Sequence, residues 1–303
     1  MNIFIRNSFV FVILLSVTVY VLLIQSDGSS DSFYKRFTSS KQSSLIIGSS
    51  RSAQGILPGV LNKILNRTDI YNYSFSIGHS PFGPVYYKSI KNKLKAGTKD
   101  GIFIISIDPW NISSMCKDPD DTLSFRESNL LLANIHSVNQ NPNYDYLLNY
   151  WNGPYYRMFP AQSAMTLHDD GWLEISVKMD SLTVQKRIKS MINTYRDDKS
   201  RIFNLSNIRV KYLIDIISYL KRHGTVYLLQ LPVHPKMAEI ENIYMPNFDK
   251  IIQRVLDSCK VSYYDMSYLN SKYQYTDGNH LFKESGEKVS EKIAAWIISE
   301  NTK

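Results

Sequence analysis

"SLIIGSSRSAQGILPGVLNKIL", residues 44–65, decides how the rest of the chain is read. Its first residues, 44–48, form a short apolar run that stops at a glycine. Two serines and an arginine follow, and 55–65 then space their apolar residues as a helix does. A continuous apolar run of this length fits a strand buried on both faces, which is the habit of parallel sheets. The hydroxyls at its end can hold a nucleophile, cradle an anion or simply reverse the chain.

Outward from this stretch the pattern repeats. Residues 69–76 ("DIYNYSFS"), 101–107 ("GIFIISI"), 225–231 ("TVYLLQL") and 260–266 ("KVSYYDM") read as strands. Residues 83–96, 206–222, 246–258 and 284–299 read as helices. Alternation of strand and helix predicts an α/β fold, a three-layer α/β/α sandwich with a central parallel sheet. Between 112 and 204 the alternation stops, and "NPNYDYLLNYWNGPYYRMFP" and "HDDGWLEISV" crowd aromatics with Asn, Gly and Pro. So long a connection predicts an insertion that serves as a lid or substrate wall.

The N-terminal stretch reads differently. Residues 8–24 carry no charge, and 17 residues of helix span about 26 Å, close to the hydrocarbon thickness of a bilayer. Residues 1–24 are therefore expected to be an uncleaved membrane anchor, with a cleaved signal peptide as the alternative. The serine-rich 25–43 reads as a polar linker, and 44–303 as one α/β domain outside the cytoplasm. The 303 residues carry a net charge of +8, but the lysines are scattered along helix faces, and no nucleic-acid-binding motif is present. Cys116 and Cys259 form no CxxC pair and are expected as two buried thiols. No ligand spacing points to a metal or other cofactor.

In an open parallel sheet, ligands gather beyond the carboxyl ends of the strands. Ser49, Ser50 and Arg51 follow the first strand, Gly78 and His79 the second, Trp110 and Asn111 the third, and His234 the fourth. Asp277 and His280 stand before the last helix. A serine that attacks an ester needs a base, histidine suits that role at neutral pH, and a carboxylate fixes the imidazole tautomer. Folding would have to bring the start and the end of the domain together.

These residues resemble the blocks of the SGNH, or GDSL-like, hydrolase family. "IIGSSRSAQGILP" is similar to the first block, with Gly-Ser-Ser in place of Gly-Asp-Ser; "YNYSFSIGHS" to the second; "DGNHLFKESGEKVSEKIA" to the last. The third block, usually Gly-x-Asn-Asp, is replaced by "IDPWN". The resemblance implies a flavodoxin-like sheet and a triad of Ser50, His280 and Asp277. By their place at strand ends, Arg51, His79, Trp110 and His234 are candidates to contact substrate, and the resemblance also implies oxyanion donors from the Ser50 and Gly78 backbone and the Asn111 side chain. It further implies a membrane-anchored, extracytoplasmic esterase or O-acyltransferase acting on an acylated surface glycan.

Other readings of the same residues stay open. Ser50 is also a good helix N-cap, Asp277 a good Asx-turn former, and Asn111 a good turn cap. Ser49 would be the exposed hydroxyl if the turn were shifted by one. A non-catalytic scaffold that binds surface polysaccharide is one alternative function. A sulfotransferase-like enzyme, with "GSSRS" as its anion loop, is another.

Overall fold

The structure, a computed structural model, describes residues 2–26, 31–151 and 164–302. Parts of two expected segments, 27–30 of the linker and 152–163 of the insertion, lie outside the described residues.

Five parallel strands form the central sheet: β1 (Ser44–Ile47), β2 (Ile70–Asn72), β3 (Gly101–Ser106), β4 (Gly224–Gln230) and β5 (Ser262–Asp265). Their spatial order is β2-β1-β3-β4-β5, the flavodoxin-like order. Alternate side chains divide between two cores. Leu45, Ile47, Phe103, Ile105, Val226 and Leu228 face one layer, built from helices Pro84–Lys93, Asn207–Leu220 and Phe248–Cys259. Ile46, Ile104, Tyr227 and Leu229 face the other, built from Pro58–Ile64 and Lys283–Asn301. Each fully buried Leu, Ile or Phe contributes roughly 1.5–3 kcal/mol. A sheet so covered explains why the strands are continuous apolar runs rather than alternating ones.

Three local features differ from the sequence expectation. The helix expected over 55–65 is two helices, Ser50–Gly55 and Pro58–Ile64. Pro58 sits at the first position of the second helix and disfavours helical backbone in Leu57 before it. The supposed linker contains helix Tyr34–Thr38, whose Tyr34, Arg36 and Phe37 are buried. Lys93 pins that helix to the domain by donating to the Arg36, Ser39 and Val138 carbonyls at 2.7–2.8 Å. Cys259 is buried as expected, but Cys116 is only partly so.

The excursion between β3 and β4 is closed at its base. Ser113–Ser114 pairs antiparallel with Asn204–Leu205, so the chain leaves and returns at one place. Beneath this closure Glu127 and Arg209 form a buried ion pair at 2.7 Å. Helix Ser181–Asn193 and the π-helical turn Thr194–Lys199 come back over the carboxyl ends of the strands. At the other end of the chain, Ile3–Ile24 is an exposed helix whose length and apolar composition suffice to cross a membrane.

Candidate active site

The order of the strands reverses between β1 and β3, and their carboxyl ends mark the crevice where ligands bind in such sheets. Gly48 ends β1 there. A Cβ at Gly48 would lie 2.2 Å from Ser52 Oγ and 3.1 Å from the Ser106 carbonyl, so only glycine lets β1 turn this close to β3. The next two residues part company. Ser49 is buried and donates to Asp108 Oδ2 at 3.0 Å, tying the two strand ends together. Ser50 opens the following helix and is partly exposed. The turn is therefore in the register that presents Ser50.

Residues 277–280 form the facing loop. Thr276 N–H donates to the His280 carbonyl at 2.9 Å, and Gly278 holds φ at +86°, a value glycine adopts freely. Asp277 serves two purposes with its two oxygens. Oδ1 accepts from the Asn279 and His280 N–H groups at 2.9 and 3.0 Å, forming the Asx-type turn. Oδ2 lies 2.8 Å from His280 Nδ1. Burial alone would raise the Asp277 carboxyl, but His280 and the two N–H donors hold it below the usual aspartate range. An ionised carboxylate only accepts, so Nδ1 carries a proton, and whenever the ring holds only that one proton Nε2 presents a lone pair. Ser50 Oγ is 2.8 Å from that Nε2. Asn279 Nδ2, 3.3 Å away, approaches the same nitrogen. Chain positions 230 residues apart thus meet in one hydrogen-bonded line, Asp277–His280–Ser50.

This line borders a cavity of about 470 Å³. Ser50, Asp277 and His280 form one side; Arg187, Met191, Tyr195 and Lys199 of the returning insertion form the other. Arg187 holds that wall in place by donating from Nε to the Thr276 carbonyl at 2.7 Å. A second cavity of about 250 Å³ is lined by Gly78, His79, Arg126 and again Lys199. The backbone N–H groups of Ser50 and Gly78 have no acceptor among the described residues, so both remain available as donors.

The other residues singled out from sequence lie elsewhere. Arg51 is 4% exposed and points beneath the site. It donates to Asn279 Oδ1 at 2.7 and 3.0 Å and to Glu241, an ion pair that keeps its guanidinium firmly protonated in spite of burial. Trp110 is 1% exposed; its Nε1 donates to the same Glu241 oxygen at 2.6 Å and its ring stacks on Tyr244 at 4.4 Å. Asn111 is fully buried, with Nδ2 on the Ser106 carbonyl at 3.1 Å and Oδ1 accepting from Asp108 N–H at 3.2 Å. Its amide is thus spent on the turn after β3. His234 caps helix Pro235–Tyr244, accepting from Lys236 N–H, and borders a different surface cavity. His79 makes a 2.7 Å hydrogen bond with Ser76 Oγ, and burial, helped by Arg126, lowers its pKa to about 4.

Sequence reasoning missed Asn279, Glu241 and the insertion residues Arg187, Tyr195 and Lys199. Asn279 stands within the Asp-Gly-Asn-His run and was open to notice. Glu241 and Lys199 lie in ordinary helical sequence that carries no motif. No protein-family model matches the chain, and no curated protein matches its sequence.

Proposed function

We propose that this protein is a membrane-anchored serine esterase or O-acyltransferase whose catalytic domain lies outside the cytoplasm. The single observation that carries the reading is the Asp277–His280–Ser50 line, 2.8 Å at each link, at the edge of a cavity. The resemblance of its blocks to SGNH hydrolases and the apolar helix Ile3–Ile24 support the same reading.

Ser50 Oγ attacks the ester carbonyl while His280 Nε2 takes its proton. The electron pair of the carbonyl moves to oxygen, where the Ser50 and Gly78 N–H groups are the available donors. As the tetrahedral centre collapses, the bond to the alcohol breaks and His280 returns the proton to the departing oxygen. Asp277 holds the ring in the required tautomer and stabilises its charged form. The acyl group, now on Ser50, passes to water in a hydrolase or to a sugar hydroxyl in a transferase, with His280 again accepting and returning one proton. Asn111 takes no part, because its amide is engaged elsewhere.

The test is hydrolysis of p-nitrophenyl acetate by the purified full chain in detergent. Wild type should turn over, and Ser50→Ala and His280→Ala should not rise above background. Equal rates in wild type and Ser50→Ala would refute the assignment. A second reading, a glycan-binding scaffold without catalysis, draws on the engaged Asn111 amide, which leaves the oxyanion with two donors. Glycan binding without any Ser50-dependent turnover would favour it.

A further inference from the structure

The two cavities described above share Lys199 as a wall residue. The second is not a neutral space. Of its charged residues, Glu127 and Arg209 form an ion pair with each other at 2.7 and 3.2 Å, both buried. That leaves Arg126 and Lys199, neither of which forms an ion pair among the described residues. Lys199 rests over the rings of Tyr195 and Phe203, 5.5 and 5.3 Å from their centroids. Partial burial, reinforced by Arg126 and only partly offset by Asp198, holds its ammonium below the usual lysine range, so two cations line a space where, among the described residues, the one lining carboxylate is Glu127, already paired with Arg209. His79, kept neutral at physiological pH, adds no negative charge. In the larger cavity, Arg187 donates to the Thr276 and Lys178 carbonyls and forms no ion pair among the described residues, although Asp180 lies near enough to feel its charge. Among the described residues lining that cavity, the one acid, Asp277, pairs with His280. Concave sites with an uncompensated positive charge draw in anions and raise their local concentration.

We propose that the smaller cavity is an anion subsite of the same cleft, and that the substrate is an acidic glycan. A carboxylate or other oxyacid group on one sugar sits between Arg126 and Lys199 while the ester on a neighbouring position reaches Ser50. This inference rests on the hydrolase reading for its second half only; the anion site stands on its own geometry. The scattered surface lysines are not needed for it.

The experiment titrates the full chain in detergent with tetragalacturonate and with its fully methyl-esterified, uncharged form, by calorimetry. Tetragalacturonate repeats a carboxylate on every ring, so one can occupy the subsite while another ring lies at Ser50. Wild type and Ser50→Ala should bind the acid form at least about tenfold more tightly than the ester form at low salt, with the margin shrinking as salt screens it. The double variant Arg126→Gln, Lys199→Gln should bind both forms within about twofold, and Lys199→Arg should keep the preference. In parallel, tetragalacturonate should slow labelling of Ser50 by a fluorophosphonate in wild type. Equal affinity for both forms, or a preference that survives the double substitution, overturns the anion subsite. Anion binding without protection of Ser50 overturns its place in the substrate cleft. Absence of any Ser50 labelling in wild type defeats the hydrolase reading and leaves the anion result to be judged by the titration alone.

Discussion

Residues 50 and 51 are neighbours in the chain and belong to two opposite hydrogen-bonded networks. Ser50 ends the line Asp277–His280–Ser50, which opens on a cavity; side-chain exposure is 18% at Asp277 and 12% at His280. Arg51 belongs to the line Arg51–Glu241–Trp110, which is sealed beneath it. Asn279 touches both, accepting from Arg51 and approaching His280 Nε2. Each network holds one carboxylate, Asp277 in one and Glu241 in the other. Access to solvent separates them: the upper one borders an open cavity, whereas the lower one holds fixed charges that brace the loop carrying His280.

Substitutions should break the two networks in different ways. The largest effect is expected in the open one: Ser50→Ala should lower ester turnover by about 10⁴-fold or more with an unchanged thermal midpoint. Asp277→Asn should cost about 10³–10⁴-fold, because an amide can donate to Nδ1 and favour the wrong tautomer. Steady-state kinetics beside circular-dichroism melts check both. In the sealed network the loss should be one of folding. Glu241→Ala strands the buried Arg51 charge and should destabilise the protein by roughly 3–5 kcal/mol, read by urea unfolding. Glu241→Gln, which keeps a hydrogen-bond acceptor, should cost less.

A smaller effect sharpens the contrast through pH. His79 borders the second cavity and is pushed down to about 4, below the value near 6.5 expected in the unfolded chain. Between those values the unfolded chain binds the proton and the folded one does not. Stability from this group is therefore complete above pH 6.5 and declines as pH falls toward 4, by up to about 3 kcal/mol. His79→Gln should flatten that stretch of the stability–pH curve. The smallest change is expected from Ser49→Ala. It removes the 3.0 Å bond to Asp108 and should cost about 1 kcal/mol, with turnover kept within a few-fold.

The sheet was legible in the sequence because a strand covered on both faces is apolar along its centre, as 45–47 and 102–105 are. The pairing of Asp277 with His280 was legible because Asp-x-x-His needs its spacing for one carboxylate to make the turn and hold the ring. Arg51, Trp110 and Asn111 look like site residues by their place at strand ends. Which way a side chain points there depends on partners far along the chain, such as Glu241, and no local pattern announces them. The packed helix at 34–38 was hidden for a related reason: its polar neighbours suggested a linker, while Tyr34, Arg36 and Phe37 find their burial against the insertion and β2. The wall residues Arg187, Tyr195 and Lys199 sit on helix Ser181–Asn193 and the π-helical turn after it, whose destination depends on the closed base of the insertion.

The central claim is that the hydroxyl at position 50, and not its neighbour at 49, is the one made reactive. Mass spectrometry of the full chain after fluorophosphonate treatment tests it most directly, because trypsin releases both serines in the peptide 42–51. The account predicts a phosphonyl adduct on Ser50 in wild type, retained in Ser49→Ala and lost in His280→Ala. An adduct on Ser49, or equal modification with and without His280, would contradict it.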